Sequence, residues 1–552
     1  MVKTDKRAFL ILGLFFLLHL YMGISFIRVS SPTYDETVHL STGYADIKTG
    51  KYRLNIKDHP PLSEMISAAP LIFYKLNAFL SHPYYSFGAV YHYGDLFLYE
   101  NVVDAEKILN TSRIFSFVLW SVLFPIFIYL FSKKIFSESA AFFALVSYFL
   151  FPIFISNNAL ITTDSASAFF YFSSFYFAYC FAANMKKGGD AQYSKIILAG
   201  LFTAFAMSSK YNMIVIAPVV CLLLAAECFY LGKFKKRDFF LCLFVYLLSV
   251  FLALLVIFKF DISLYFEGLR ATFKRMSGGR SSFVCGHYSI NGVWWYFPFA
   301  FMVKTPVFII ISFFAGLCAA AGKFEKKYIW LFIPFLVYFL GALTAKLQIG
   351  IRHILPLMPF VCVFAGLAAA EFRKKAFRFF LFFVFLISSF FIFKTHPYHL
   401  SFFNALVGGA PNGWKYLADS NVDWGQDVKS LATYLKKQGN PPVIFAYFGV
   451  TRPQYYGIRY FPFGVISNVE FSGNVDICKT KRILLAVSAT NLQSVYYRDK
   501  KSFEWLKKET PIFRAGYSVF LYELTGKQKL VGKLSAMLRE RGFIKESECL
   551  LR

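Results

Sequence analysis

Long uncharged runs alternate with short polar ones along most of this chain. The first, Phe9 to Ile27, contains no Asp, Glu, Lys or Arg. A helix of roughly 17–25 apolar residues can cross the hydrocarbon core of a bilayer while satisfying its own backbone hydrogen bonds. Eleven spans are predicted: 8–27, 113–131, 139–157, 165–184, 195–209, 211–231, 239–258, 299–322, 328–345, 354–371 and 377–394. The fifth is short. Lys3, Lys6 and Arg7 precede the first run, which is long for a signal peptide and lacks a clean small-x-small cleavage pattern after it. It reads as an uncleaved signal anchor.

The connections are unequal. Loop 28–112 is too long to be a bare connector, and its stretch 61–80 has the amphipathic character of a segment lying along the membrane surface. Loop 259–298 is the second long one. After residue 394 the pattern changes. "DVKSLATYLKK" predicts a helix, and "VIFAYFG", "RILLAVSA" and "YSVFLYEL" predict buried strands. Residues 1–394 therefore read as a membrane domain, and 395–552 as a small, more polar α/β domain.

Charge sets the orientation. Lys3/Lys6/Arg7, Lys133/Lys134, Lys186/Lys187, Lys233/Lys235/Lys236/Arg237, Lys323/Lys326/Lys327 and Arg373/Lys374/Lys375 all fall on one side of the span list. The opposite short loops hold only Lys210, Lys346 and Arg352. Basic short loops stay in the cytoplasm, so the N-terminus is expected inside, and both long loops and the domain 395–552 outside. The expected location is the cell (inner) membrane.

Composition agrees with this. The 552 residues are 57% hydrophobic, with 71 Phe, and only 16% are charged, against about 25% in soluble domains. The net charge of +28 is partly the inward bias just described. With no compact basic domain, it does not imply nucleic acid. Cys180, Cys221, Cys228, Cys242, Cys318 and Cys362 fall in spans as packing residues. The spacing of Cys285, Cys478 and Cys549 specifies neither a zinc site nor a disulfide framework.

Charged residues within spans usually mark ion or substrate routes, and here Glu227 is the main one. The notable polar residues instead gather at the outer ends: Asp35 and Glu36 after the first span, Arg113 opening the second, Asp164 opening the fourth, Lys210 after the fifth, Lys304 near the start of the eighth, and Arg352 and His353 before the tenth. Each has an ordinary explanation. Asp35 and Glu36 could be solvated loop charges, and Asp164 an N-cap. Arg113 and Lys210 could snorkel to lipid phosphates, and His59 could begin a turn before Pro60 and Pro61. Their agreement in side and depth points to one outward-facing cavity. Lys259, Arg270, Lys274, Arg275, Arg280 and Lys304 outnumber Asp261 and Glu267 in the segment 259–304. That excess suits an anionic substrate, since guanidinium groups can bind phosphate with paired bonds, or alternatively anionic headgroups. A lipid-phosphate sugar fits such a site. Its phosphate leaves, the cations stabilise the charge, and a carboxylate takes the acceptor's proton.

"YDETVHLSTGYADIKTGKYRLNIKDHPPLSEMI" resembles the first outer loop of GT-C glycosyltransferases, in particular the protein O-mannosyltransferase and aminoarabinose lipid A transferase group and similar bacterial phospholipid carrier-dependent enzymes. "GVWWYFPFAFMVKTPV", "IGIRHILPLMPF" and "FFNALVGGAPNGWKYLADSNVDWGQDVKSL" resemble later blocks of the bacterial subgroup. The resemblance implies an α-helical polytopic membrane bundle of GT-C type. It implies Asp35 as general base, Glu36 positioning the acceptor or a cation, and Asp164 as the second acidic position. Arg113 matches the arginine opening helix 2. His59, Lys210, Lys304, Arg352 and His353 are the further candidates for substrate binding. Some relatives bind a divalent cation. Here His39, Asp58 and His59 stand nearest, but no spacing specifies a metal, so no ligand is assigned. "DSNVDWGQDV" fits a capping box with Asp423 before a helix at Trp424 and Gln426 on the third position, or alternatively acceptor recognition.

The expected function is transfer, with inversion, of a sugar from a polyprenyl-phosphate donor to an extracytoplasmic acceptor (glycan, lipid or protein), in contact with membrane lipids. A lipid-linked-sugar transporter or flippase is the alternative; such proteins place binding groups near the midplane. A non-catalytic assembly scaffold is a second.

Overall fold

The computed structural model describes residues 6–185, 193–230, 236–371, 374–464, 473 and 475–551. All eleven predicted runs are helical over most of their length. Among the described residues, eight helices are long and apolar enough to cross a membrane. Tyr296–Lys304 and Val307–Gly322 make a ninth if counted together, although they are bent by 119°. Glu138–Phe149 and Tyr193–Met207 are shorter apolar helices.

Two predicted spans are not continuous, and in both a proline is the cause. Proline has no N–H to donate and keeps the residue before it out of the α region. Phe151 is extended, and the third run splits into Glu138–Phe149 and Pro152–Asn157. Thr305 is extended, and the chain restarts as a helix after Pro306. Glu227, near the end of the sixth run, is buried and accepts a hydrogen bond from Trp330 Nε1 at 3.0 Å. Of the basic loop residues that set the orientation, Lys3, Lys186, Lys187, Lys233, Lys235 and Arg373 lie outside the described residues.

Loop 28–112 is mostly helical: Glu36–Thr49, Leu62–Ala68, Pro83–Ser86 and Val90–Tyr99. The helix Leu62–Ala68 turns its polar residues Ser63, Glu64 and Ser67 inward. The apolar Ile72 and Phe73 that follow are exposed. It packs on Glu36–Thr49 through Gly43, where a Cβ would stand 2.1 Å from the Glu64 carbonyl oxygen. Loop 259–298 contributes the helix Ser263–Ser277 and a hairpin, β1 (Ser282–Val284) with β2 (His287–Ser289).

The C-terminal part carries a five-stranded mixed sheet of β3 (Val443–Ala446), β4 (Tyr460–Pro462), β5 (Leu484–Ser488), β6 (Phe513–Ala515) and β7 (Val519–Glu523), in the order β4-β3-β5-β7-β6. β3 runs parallel to β4 and β5, and β7 antiparallel to β5 and β6. The period of two along each strand divides the side chains between two layers. Val443, Phe445, Leu484, Ala486 and Leu521 pack with Val428, Leu431 and Leu435 of the helix Val428–Lys437. Ile444, Leu485, Val487 and Phe520 join the layer holding Val531, Leu534 and Leu538 of Gln528–Glu540, and this core runs on into the membrane bundle. The last helix, Ile544–Leu551, is tied down by a disulfide between Cys478 and Cys549. The spacing of those cysteines does not specify this pair. They are 71 residues apart, too far for spacing to signal the bond.

Candidate active site

Asp35 and Glu36 are adjacent in sequence but point to different places. The helix Glu36–Thr49 begins between them, and a helical step of about 100° per residue separates neighbouring side chains. Glu36 turns into the protein. Arg113 Nε donates to Glu36 Oε1 at 2.8 Å, and Nη2 donates to Oε2 at 2.5 Å. The Ile161 N–H donates to Oε1 at 3.0 Å, and the Thr33 N–H and hydroxyl donate to Oε2 at 2.8 and 2.9 Å. Arg113 also donates to the carbonyls of Ser30 and Ser31. Both side chains are 0% exposed. Burial alone would raise the Glu36 pKa, but the Arg113 guanidinium and the Thr33 and Ile161 bonds hold it below the ordinary glutamate value. The pair clamps the end of the first span to the second span and to the chain entering the fourth.

Asp35 faces a cavity of about 420 Å³. A chain of alternating charges begins there. Arg352 Nη2 donates to Asp35 Oδ2 at 3.2 Å, and Arg352 Nη1 donates to Asp164 Oδ2 at 3.2 Å. Lys210 Nζ donates to Asp164 Oδ1 at 2.6 Å. Asp164 is buried beneath its two cations, whereas the Asp35 side chain is 25% exposed. Arg352 is fixed further by Nε donating to Ser420 Oγ at 3.1 Å, and by the Trp424 ring, whose centroid is 4.0 Å from its guanidinium carbon. Such a stacked cation contributes about 0.5–2 kcal/mol.

The remaining walls come from four parts of the chain. His39 stands one turn after Asp35, and His59 packs edge-on to it at 4.9 Å. Burial, with His39 and Lys210 beside it, holds the His59 imidazole well below its usual 6.5, so at neutral pH it is an uncharged donor and acceptor. His353 lines the cavity, and among the described residues its Nε2 has no hydrogen-bond partner. Arg275 reaches the cavity while paired with Asp58. Arg280 lies over Tyr496, 4.9 Å from the ring centroid. Asp419, Trp424 and Phe448, from the C-terminal part, also line the cavity. Asp419 has a φ of +53°, accepts a bond from Tyr496 Oη and is buried, which pushes its carboxyl up despite Arg280 nearby. Among the described residues, no three His, Cys, Asp or Glu side chains are grouped to hold a metal ion.

The combination is an acidic group and several cations in an open cavity at one end of a helical membrane bundle. Residues 108–257 match the family described as dolichyl-phosphate-mannose-protein mannosyltransferase. The crystal structure of ArnT from Cupriavidus metallidurans in the apo state is 12% identical, with 94% of this chain and 98% of that chain covered, at a TM-score of 0.52. The chain has the GT-C fold. Two further solved structures are also similar. The same ArnT bound to undecaprenyl phosphate is 11% identical, with 93% and 98% covered, at a TM-score of 0.47. The oligosaccharyltransferase AglB from Archaeoglobus fulgidus, in complex with an inhibitory peptide and a dolichol-phosphate, is 12% identical, with 77% and 58% covered, at 0.47. No curated protein matches the chain in sequence.

Within this GT-C bundle the expected site residues divide. Asp35, His59, Lys210, Arg352 and His353 line one cavity, and Asp164 supports two of them from beneath. Glu36 and Arg113 do not reach it. Their hydrogen bonds go to each other, to the Thr33 hydroxyl and to backbone, the geometry of a clamp rather than of direct contact with a phosphate or an acceptor in this cavity. Lys304 is also elsewhere. Its buried ammonium donates to the carbonyls of Leu400, at 2.7 Å, and Asn421, and lies 4.6 Å from the Phe403 ring centroid. It anchors the segment that carries Asp419 and Trp424. The capping box does not form, because the helix starts at Val428. Asp423 instead accepts from the Thr490 N–H at 2.9 Å, and Gln426 Oε1 from the Trp424 N–H at 2.8 Å. Asp419, Trp424 and Phe448 are cavity residues that motif reading did not single out.

Proposed function

We propose that this GT-C protein is a membrane glycosyltransferase that moves a sugar from a polyprenyl-phosphate carrier to an acceptor hydroxyl outside the cytoplasm, with inversion. The observation that carries the reading is the chain Lys210–Asp164–Arg352–Asp35, which ends in a partly exposed carboxylate inside an open cavity. The match of residues 108–257 to a dolichyl-phosphate-mannose-dependent family supports the lipid-phosphate donor.

In this mechanism the acceptor oxygen attacks the anomeric carbon from the face opposite the phosphate. The carbon–phosphate-oxygen bond breaks, its electron pair stays on the phosphate, and the acceptor proton passes to Asp35. General-base assistance of this kind contributes about 10²–10⁴-fold. Arg275, Arg280, Lys210, His59 and His353 supply donors for the departing phosphate, which is stabilised more strongly in a poorly solvated cavity than in water. Asp164 neutralises Lys210 and Arg352 in part and holds them in place. The Cys478–Cys549 disulfide supports an oxidising, extracytoplasmic setting for the C-terminal part.

The test is purified protein in nanodiscs with polyprenyl-phosphate sugars and a panel of glycan, lipid and peptide acceptors. The expected result is release of polyprenyl phosphate and a product of inverted anomeric configuration by NMR. Retained configuration would remove the single-base mechanism. Movement of intact donor across the bilayer without bond cleavage would return the flippase reading.

A further inference from the structure

The site holds a second titratable pair that the transfer step above does not use. His39 lies in the first turn of the helix that Asp35 precedes as N-cap, and its backbone N–H donates to the Asp35 carbonyl at 3.1 Å. Residues four apart on a helix are side-chain neighbours, and both line the cavity. His39 Nδ1 meets Glu64 Oε1 at 2.7 Å, and Asn55 Nδ2 donates to the same oxygen at 2.6 Å. Glu64 is 1% exposed and its helix is seated against Gly43 of the His39 helix. Burial pushes the Glu64 carboxyl up, and the His39 and Asn55 bonds favour its ionised form; the bond to Glu64 takes the Nδ1 position and leaves Nε2 as the basic position of the ring, the arrangement that makes a histidine a proton acceptor. His59 packs edge-on against the same ring.

We infer that His39, oriented by Glu64, is the proton relay of the site: it receives the proton that Asp35 takes from the acceptor and releases it to water between turnovers. The inference rests on the transferase reading. The balance is simple. Asp35 is protonated as the new glycosidic bond forms. A water in the cavity carries that proton to His39 Nε2, which restores the Asp35 carboxylate and leaves an imidazolium facing the Glu64 carboxylate, and bulk water removes the proton. No further reactant is needed. The groups facing His39 are Glu64 from the helix Leu62–Ala68, His59 from the loop before it, Arg352 from the segment before the tenth span and Asp35 from the N-cap of the His39 helix. Burial favours the neutral ring, but the Glu64 bond and charge, with Asp35, outweigh it and raise the His39 pKa above 6.5. Turnover requires the neutral ring, so kcat rises with pH through a limb above that value.

Three measurements on the full-length protein in nanodiscs test this. Glu64→Gln keeps a carbonyl oxygen for the Asn55 amide and the His39 N–H but removes the charge, so the limb moves to lower pH with the donor KM within about twofold. His39→Ala loses at least tenfold in kcat, and added imidazole restores it in a saturable manner. In the protein without substrate, nitrogen-15 NMR of labelled histidine finds the Nδ1–H form with a pKa that falls in Glu64→Gln. A limb unmoved by Glu64→Gln, or no imidazole rescue in a folded His39→Ala protein, overturns the relay. Inactivity of the wild-type protein on every lipid-phosphate sugar is a different result. It removes the transferase reading, while the NMR titration still reports on the pair.

Discussion

Glu36→Gln separates the clamp from the chemistry. The carboxylate accepts five hydrogen bonds, two from Arg113, two from Thr33 and one from Ile161. A glutamine in its place has one carbonyl oxygen and turns an NH₂ group toward donors. Whichever way the amide turns, its NH₂ faces donors: Arg113 Nε and the Ile161 N–H at one position, or Arg113 Nη2 and the Thr33 N–H at the other, and Arg113 is left as a buried charge without its counter-ion. Breaking a buried ion pair by removing one partner costs about 3–5 kcal/mol, while a lost charge-assisted hydrogen bond alone costs about 1.5–3 kcal/mol. The expected loss is therefore about 3–5 kcal/mol of stability, with activity per folded molecule falling much less. The linkage has a definite sign. Because the folded-state pKa of Glu36 is depressed, its stabilisation is present above the unfolded value of about 4.3 and is lost as pH falls through the lower folded value. Detergent-solubilised protein followed by fluorescence-detected size exclusion after heating measures stability, and single-turnover transfer on the surviving monodisperse fraction measures chemistry. A Glu36→Gln protein of wild-type stability but low turnover would refute the clamp and return Glu36 to the substrate.

Asp35→Asn should show the converse, a loss of about 10²–10⁴-fold in single-turnover transfer with unchanged heat resistance and donor binding; near wild-type turnover would make Asp164 the next base to test. Cys478→Ser should destabilise the C-terminal part by about 4 kcal/mol, the loop-entropy value for a closed loop of this length, read as earlier proteolysis of the last helix; equal proteolysis of both proteins would mean the bond is not formed in the cell. A reporter active only outside the cytoplasm, fused after Arg552, should be active, and activity only as a cytoplasmic fusion would invert the orientation.

Much of this architecture is legible in the sequence because hydropathy and period report burial directly. The eleven apolar runs, the helix at "DVKSLATYLKK" and the strands at "VIFAYFG", "RILLAVSA" and "YSVFLYEL" all correspond to observed elements. The breaks at Pro152 and Pro306 are local backbone effects that a hydropathy window averages away. Side-chain direction is harder. Nothing in "YDET" states that residue 35 faces a cavity and residue 36 faces Arg113, since a one-residue shift of the helix start would exchange them. Lys304 sits at the right depth for a phosphate ligand, but the carbonyls of Leu400 and Asn421 claim it from about a hundred residues away. Trp424 is invisible for the same reason. Its role depends on Arg352, a contact across 72 positions of chain that no spacing rule connects.

The stacking of Trp424 on Arg352 and the capture of the 400–421 segment by Lys304 have a bearing on biogenesis. Synthesis runs from the N-terminus, and every membrane helix precedes this segment in the chain. The bundle can therefore be threaded into the bilayer while its cavity still lacks the wall that this segment supplies, and Arg352 gains its aromatic cover only as the last quarter of the polypeptide begins to emerge. Ribosomal order thus sets the order of assembly: a nascent chain stalled before this segment holds Asp35 and its cations without Trp424 to cover Arg352.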